Sequence, residues 1–388
     1  MHRTTDFSDN IKRRSLSEEF EALKVANPAF MQAIQTAGEA KNTKHEWFDQ
    51  ALSPVSTTIN MSPGGLGSAA TVLTVPSTAG FLAGDIIFFE DNTLFDLAKI
   101  VSIDSGTQMT ITRGYGGSVA ADHAHGSKVS LHSRPKVEGS TQAETAITEP
   151  TLYYNHTQIF RRDVSVSGSA KSILHYVIDD LIAEGVAQRM REIYWEMNKA
   201  LIAGARHDAG TPATVGRTAG GLLWFINQYA GSAQKVDATG ADLSTTLLNG
   251  VIEAIIKAGG RPNALAMSTT QARKIAGLNS VTSNVLINVD QMATGAGIPA
   301  PTKFFGDLPN IITDLIVDIN IPEDKILVVD TSKIKVVPLK GNEDRSIAEI
   351  DTTLPSTDAY TRRILGEYTF EIRNPAESHG FIYNLKTT

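Results

Sequence analysis

The 388-residue chain contains no cysteine. Disulfides, thiolate nucleophiles and cysteine-ligated zinc are therefore excluded, and a reducing compartment is the simplest origin. The opening residues, MHRTTDFSDN, hold no apolar signal core. No apolar run is long enough to cross a bilayer. The nearest, 311–321, is broken by Asp314 and Asp318, so no membrane partner is expected. Cationic clustering is scarce as well. Lys and Arg number 35 against 42 Asp and Glu, for a net charge of -7. This balance excludes a dedicated binder of nucleic acid or anionic membrane. The short cluster Lys12-Arg13-Arg14 allows at most a weak anionic contact.

Catalytic patterns are missing too. Gly64-Gly65-Leu66-Gly67 has neither the lysine nor the preceding strand of a phosphate loop, and reads as a linker. Gly216 to Gly221 lacks dinucleotide spacing, and HExxH and the nucleophile elbow do not occur. Asp122, His123 and His125 form the best metal pattern, since histidines two apart share one face of an extended chain. The nearest further histidine is His132, so the plainer reading is a loop histidine bonded to backbone. Asp179, Asp180 and Glu184 read as a solvated or subunit-facing surface of a helix rather than an acid–base pair. No catalytic residue, cofactor or metal is expected, and the chain is not expected to be an enzyme.

What the chain does have is an extended segment running into a long helical pattern. YYNHTQIFRRDVSVSG alternates Ile159, Arg161, Asp163 and Ser165 with Phe160, Arg162, Val164 and Val166. The Arg161-Arg162-Asp163 charges suit a strand edge or a contact with a neighbour. Apolar residues then recur at helical steps: Leu174, Val177, Ile178, Leu181, Ile182, Val186, Met190, Ile193, Met197, Leu201. The spacing predicts one helix over 169–203, about 50 Å long. Gly185 sits inside it at a cost of about 1 kcal/mol against alanine and is a candidate bend.

Before this junction, residues 1–43 read as a polar arm carrying Phe20, Leu23, Phe30 and Ile34, and SPGGLGS at 62–68 reads as a boundary. Residues 71–132 carry TVLTV, DIIFFE, LAKIVSI, QMTIT and KVSLH, separated by turn residues, which is the pattern of a small all-β module. After the helix, 213–332 mixes helices and strands. Asp242 or Ser244 caps a helix there, ALAM reads as a buried strand, and a glycine-rich loop spans 287–302. The tail 333–388 is strand-like.

This order resembles the major capsid proteins of tailed bacteriophages with the Hong Kong 97-type fold. The resemblance is carried by Asn155-His156-Thr157-Gln158-Ile159-Phe160 through Ser167-Gly168, and by Gly366-Glu367-Tyr368-Thr369-Phe370-Glu371-Ile372-Arg373-Asn374-Pro375. Separately, Arg113-Gly114-Tyr115-Gly116-Gly117-Ser118, with His125 and Gly126, is similar to a β module of phage structural proteins, with Ser118 in place of the usual threonine. That similarity implies a structural role for His125.

The resemblance implies an α+β capsid fold. It has an N-terminal arm (1–43), an extended loop hairpin (44–62 and 133–168) and an inserted β-barrel or sandwich (63–132). A peripheral domain holds the spine helix (169–212 and 333–388), and an axial domain spans 213–332. It also implies self-assembly, through hexamers and pentamers, into an icosahedral virion shell that encloses double-stranded DNA and is built in the host cytoplasm. The implied partners are portal, scaffolding or decoration proteins, with weak contact to DNA. Trp47, Phe48, Tyr153, Tyr154, Phe160, Arg161 and Arg162 are the candidate interface residues, and Gly185 the candidate hinge. The competing readings are an encapsulin-like nanocompartment shell, another virion component, or an enzyme or carbohydrate binder with a β accessory domain.

Overall fold

The computed structural model describes residues 28–50, 55–62, 64–91, 95–136, 138, 150–173, 180–208, 210, 215–278, 285–286, 303–305 and 312–387. Two compact units emerge, one from residues 1–51 and 150–388, the other from 52–149.

In the first unit, a five-stranded sheet runs in the order Gln35–Thr36, Ile334–Pro338, Ala359–Ile372, Gln158–Ser167, with Ala348–Asp351 also paired to Ala359–Ile372. The ribbon strand Gln158–Ser167 and the return strand Ala359–Ile372 pair antiparallel over ten residues, from Gln158 opposite Tyr368 to Ser167 opposite Ala359. The expected alternation holds, with Phe160 buried and Ile159, Arg161, Asp163 and Ser165 exposed.

The expected single helix over 169–203 is not what forms. A short turn of helix, Gly168–Ser172, is capped by the Ser167 hydroxyl, and Ile173 is extended. The spine helix proper is Leu181–Ala203, 23 residues, or about 35 Å. Its N-cap is Asp180, whose side chain accepts hydrogen bonds from the Ile182 and Ala183 amides. Two short polar caps thus overrule an unbroken apolar period. Asp180 is a cap rather than part of an acidic surface, and Glu184 accepts from Gln188. Leu174, Val177, Ile178 and Asp179 lie outside the described residues.

The spine helix buries Ile182, Val186, Ile193, Met197 and Leu201, as its period predicts. They join Phe160, Ile364, Phe370 and Phe225 in one core. Residues 28–43 of the expected arm belong to this body. Phe30 is buried, its amide donates to Asp318 (2.9 Å), and Asn198 of the spine helix donates to the same carboxylate oxygen (2.9 Å). Phe20, Leu23 and Lys12-Arg13-Arg14 fall outside the described residues.

A second, seven-stranded sheet runs Lys235–Asp237, Gly380–Tyr383, Ile326–Val329, Ala264–Met267, Ile312–Val317, Lys303–Phe305, Val285–Leu286. ALAM and ILVV are buried at every residue. Helix Thr245–Lys257, capped by Ser244, packs Leu248, Val251, Ile252 and Ile255 into its core. Asp242 pairs instead with Lys274.

Two expected boundaries fail here. Gly380–Tyr383, assigned to the peripheral tail, lies in this sheet. Helix Leu222–Tyr229, assigned to the axial segment, packs with the spine helix. Short buried strands and helices carry no mark of which neighbour they join. The loop 287–302 is outside the described residues.

The second unit is an antiparallel six-stranded sheet in the order Ser56–Thr58, Lys128–Ser133, Ile86–Phe89, Leu97–Ile103, Gln108–Thr112, Val72–Thr74. Its own core includes Ile59, Leu66, Leu73, Phe89, Ile100, Met109 and Val129. Ser56–Thr58 pairs with residues 128–130, so the segment 44–62 expected as one hairpin arm divides near residue 52. The glycine-rich stretch read as a linker lies inside the unit. Leu66 bridges to His123, and Gly65 has φ +69° with room for no Cβ against the His123 carbonyl. Only glycine tolerates both conditions.

His379, buried beside the seven-stranded sheet, titrates with stability. Burial pushes its pKa down to about 4 from 6.5, and nearby Asp330 does not offset this. The unfolded chain takes up this proton near pH 6.5, the folded one only near 4. The stability from this site is thus full above about 6.5 and is lost as pH falls towards 4. Urea midpoints measured between pH 7 and 4.5 are expected to fall more steeply for wild type than for His379→Gln.

Candidate functional site at the strand and helix joint

Lys44–Asp49 and Thr151–His156 pair antiparallel, with Trp47 opposite Tyr153 and His45 opposite Asn155. Alternation puts Trp47, Asp49, Tyr153 and Asn155 on the covered face. Asn155 is fully buried and uses its whole amide. Its Nδ2 donates to the carbonyls of Gly220 (2.9 Å) and Phe370 (2.8 Å), and its Oδ1 accepts from the amides of Gly220 (2.8 Å) and His156 (2.9 Å). One side chain therefore pins the incoming strand, the return strand and the segment after the spine helix. Buried amides that satisfy every donor and acceptor specify one arrangement of backbone.

Two residues on, the Thr157 hydroxyl donates to Glu367 Oε1 (2.6 Å), which Arg217 also reaches at 3.1 Å, while Arg345 contacts Oε2 at 2.9 Å. Glu367 is buried, so its charge is tolerable only because two guanidinium groups answer it. Further along the return strand, burial opposes ionisation of Glu371. Hydrogen bonds from His45 and Arg373, with the charges of Arg373 and Lys335, outweigh it and hold the pKa below the usual range. The Asn374 amide donates to Asp49 (2.7 Å).

Glycines close the joint. The Gly221 amide donates to the Gly204 carbonyl (2.7 Å), where the chain crosses the end of the spine helix. A Cβ on Gly221 would meet the Ala200 carbonyl oxygen at 2.4 Å. Of the run 216–221, Gly220 and Gly221 therefore make a close crossing, while Gly216 stands in open space among the described residues. Gly185, the candidate bend, lies in the second turn of the spine helix, where a Cβ would stand 2.8 Å from Val164 Cγ1 of the ribbon strand. Close packing alone accounts for a glycine at this position.

The candidate interface residues divide. Trp47 (4% exposed), Tyr153 and Phe160 are core residues rather than exposed anchors. Trp47 lies 5.9 Å from the ring of Phe225, and Tyr153 meets Tyr229 edge-on at 5.0 Å. Burial, aided by Glu377, Asp49 and Tyr229, pushes the Tyr153 hydroxyl up to about 12. Alternation defines two faces of a strand but not which is covered. Here the cover is the aromatic helix Leu222–Tyr229.

Phe48 is exposed (63%) opposite exposed Leu152. The Tyr154 ring lies between Lys44 (4.4 Å) and Arg206 (3.8 Å). Arg161 pairs with Asp163, which Arg363 also reaches, and these two hydrogen bonds hold Asp163 down to about 2. Arg162 turns to the spine helix and pairs with Glu196 (2.8 Å) and Glu192 (3.6 Å). Among the described residues, Gln158–Ser167 is the edge of its sheet.

In the second unit the metal pattern does not converge. Asp122 accepts the Ser68 amide (2.6 Å), and His125 is exposed. His123 is buried, with Nδ1 2.6 Å from Asp91 and Nε2 2.9 Å from Asp96. The structural role expected of His125 falls to His123, whose partners are carboxylates rather than backbone.

The sequence reading gave no role to Asn155, Thr157, Arg217 and Glu367. Two of them stand in the stretch Asn155 to Phe160 and one in Gly366 to Pro375, which are rich in polar residues throughout, so nothing local in the sequence marks these three. Asn155→Ala would leave buried backbone groups unpaired and is expected to cost roughly 2–4 kcal/mol. Phe48→Ala should stay within about 0.5 kcal/mol. Urea denaturation of the two variants checks the contrast.

Residues 3–386 match the family model of the SU10 major capsid protein. No curated protein matches the chain. Among solved structures, the cyanophage A-1(L) capsid asymmetric unit aligns with a TM-score of 0.53 and 10% identity over 98% of each chain. The capsid of a native GTA particle aligns with a TM-score of 0.50 and 10% identity, over 98% of this chain and 97% of that one. At this identity the likeness concerns the fold, which is the expected Hong Kong 97-type α+β capsid fold. With a joint built to fix strands and helix rather than to react, and a family match over nearly its whole length, the chain belongs to the SU10 major capsid protein family.

Proposed function

We propose that this shell-forming phage capsid protein closes into an icosahedral head around double-stranded DNA, as hexamers and pentamers of one subunit, and that it carries no enzymatic activity. The observation behind the reading is the family match over 3–386. A closed shell needs one subunit to make several non-identical contacts. The exposed Phe48–Leu152 pair and the charged edge of Gln158–Ser167 offer surfaces for them. The joint supplies a rigid frame, so that contacts at the edges are made by surfaces of fixed shape.

The net charge of -7 suits a container that encloses DNA without gripping it. Contact with the packaged DNA is weak and non-specific. Portal and scaffolding or decoration proteins are the further partners of this reading.

Electron microscopy of the purified protein tests it. Closed icosahedral shells are expected. Rings, tubes or dispersed monomers would contradict it, and shells filled with a cargo enzyme would favour a nanocompartment.

A further inference from the structure

The second unit carries a buried charged cluster that shell building does not explain. After Gln108–Thr112 the chain makes no strand until Lys128–Ser133; residues 113–127 form a strap. Gly114, Gly116, Gly117 and Gly126 in it all have positive φ, so this backbone path depends on glycine at several points. Backbone bonds to Leu66 and Ile59 tie its last residues, 123–127. Its side-chain anchor is His123, wholly buried, with its ring stacked on Phe89 at 4.2 Å. Its nitrogens face Asp91 (2.6 Å) and Asp96 (2.9 Å).

Asp96, also buried, is the hub. It contacts Arg113 at one end of the strap and accepts the Ala121 amide (3.1 Å) near the other. Arg113 in turn donates to the carbonyls of Ala121 (2.6 Å) and Gly67 (3.1 Å), and its guanidinium lies 4.8 Å from the Phe89 ring. Further ties are the Leu66–His123 bridge, the Ser118 hydroxyl on Leu97, the Ser68 amide on Asp122, and the backbone bonds of Gly126 and Ser127 with Ile59. Beneath the strap lie core residues Phe89, Leu66 and Ile59.

We propose that residues 113–127 are an acid-released strap, held shut by the Asp91–His123–Asp96–Arg113 cluster and opening over the core of the second unit when Asp96 is protonated. The groups facing Asp96 are His123, Arg113 and the Ala121 amide, and Asp91 joins through His123. Asp122 faces the Ser68 amide and His125 faces solvent, so neither is part of the cluster. Protonating Asp96 removes the negative charge that Arg113, His123 and the Ala121 amide all meet at Oδ2, and a neutral acceptor holds buried donors much less strongly than a carboxylate does. Burial opposes ionisation of Asp96, but bonds from His123, Arg113 and Ala121 overcome it and keep its pKa below the ordinary carboxylate value. A carboxylate depressed in the folded state adds stability above its unfolded pKa. That stability disappears as pH falls through the folded value. The strap is therefore shut at neutral pH and opens only on acidification through and below the ordinary carboxylate range.

Hydrogen exchange of the full chain, read by mass spectrometry and corrected for the intrinsic pH dependence of exchange, tests the proposal. Strap peptides of the wild type are expected to lose protection several-fold between pH 7 and pH 3, while peptides from Ala359–Ile372 lose less. Asp96→Asn should show the open strap already at pH 7, with little further change on acidification. Asp91→Asn, at the rim of the cluster, should shift the opening to higher pH while leaving the strap shut at pH 7. Equal protection of the wild-type strap at both pH values would overturn the proposal. So would an Asp96→Asn strap as protected at pH 7 as the wild type, or a strap that opens only together with Ala359–Ile372.

Discussion

Everything in the first unit depends on where the return strand meets the incoming strand, and Asn155 sets that meeting. Its amide is saturated by four backbone groups from three segments far apart in sequence. Apolar packing alone would let these segments slide, because one buried aliphatic surface serves nearly as well as another. A saturated amide does not slide, since each lost bond leaves a buried group without a partner. Glu367, two strand positions from Thr369 and answered by Thr157, Arg217 and Arg345, repeats the principle with charge. The ribbon of Gln158–Ser167 and Ala359–Ile372 is thus fixed at its root, and the spine helix is laid against it through Val164 and Gly185.

This arrangement divides the labour of a shell subunit. The root is stiff and polar inside; the outward faces carry charges in short ion pairs, such as Arg161–Asp163–Arg363, that are worth little individually. Weak outer contacts on a rigid frame are what reversible assembly of a closed lattice requires, because errors must come apart while the subunit stays folded. The aromatic residues Trp47, Tyr153 and Phe160 are buried in the frame.

The sequence made the elements legible where period and burial coincide. The alternation in 158–167, the apolar stripe from Ile182 to Leu201, the buried strand ALAM and the small β unit all follow from it. It misled where a single polar residue decides. Asp180 and Ser167 cap separate helices inside an apolar pattern that runs on through both. It was silent on partnership. Nothing in GFIY says that it joins the sheet of residues 264–267 rather than that of Ala359–Ile372, and nothing in WF at 47–48 says that the first ring is covered and the second bare. His123 and His125 look alike in sequence, and only the positions of Asp91 and Asp96 separate them. The sequence reading put its junction where the extended segment enters the helix, near Ser167, whereas the polar joint lies further back, at Asn155, within the stretches that carry the resemblance to capsid proteins.

The central claim is that buried polar groups, the Asn155 amide and the Glu367 carboxylate, fix the joint, so that contacts meeting on one of them are coupled. A double-mutant cycle of Thr157→Val and Arg217→Met, read by urea unfolding, tests it most directly. Both side chains reach the same carboxylate oxygen. The account predicts a coupling energy of about 1 kcal/mol or more between the two substitutions. Additivity within about 0.3 kcal/mol would show two independent contacts and would contradict it.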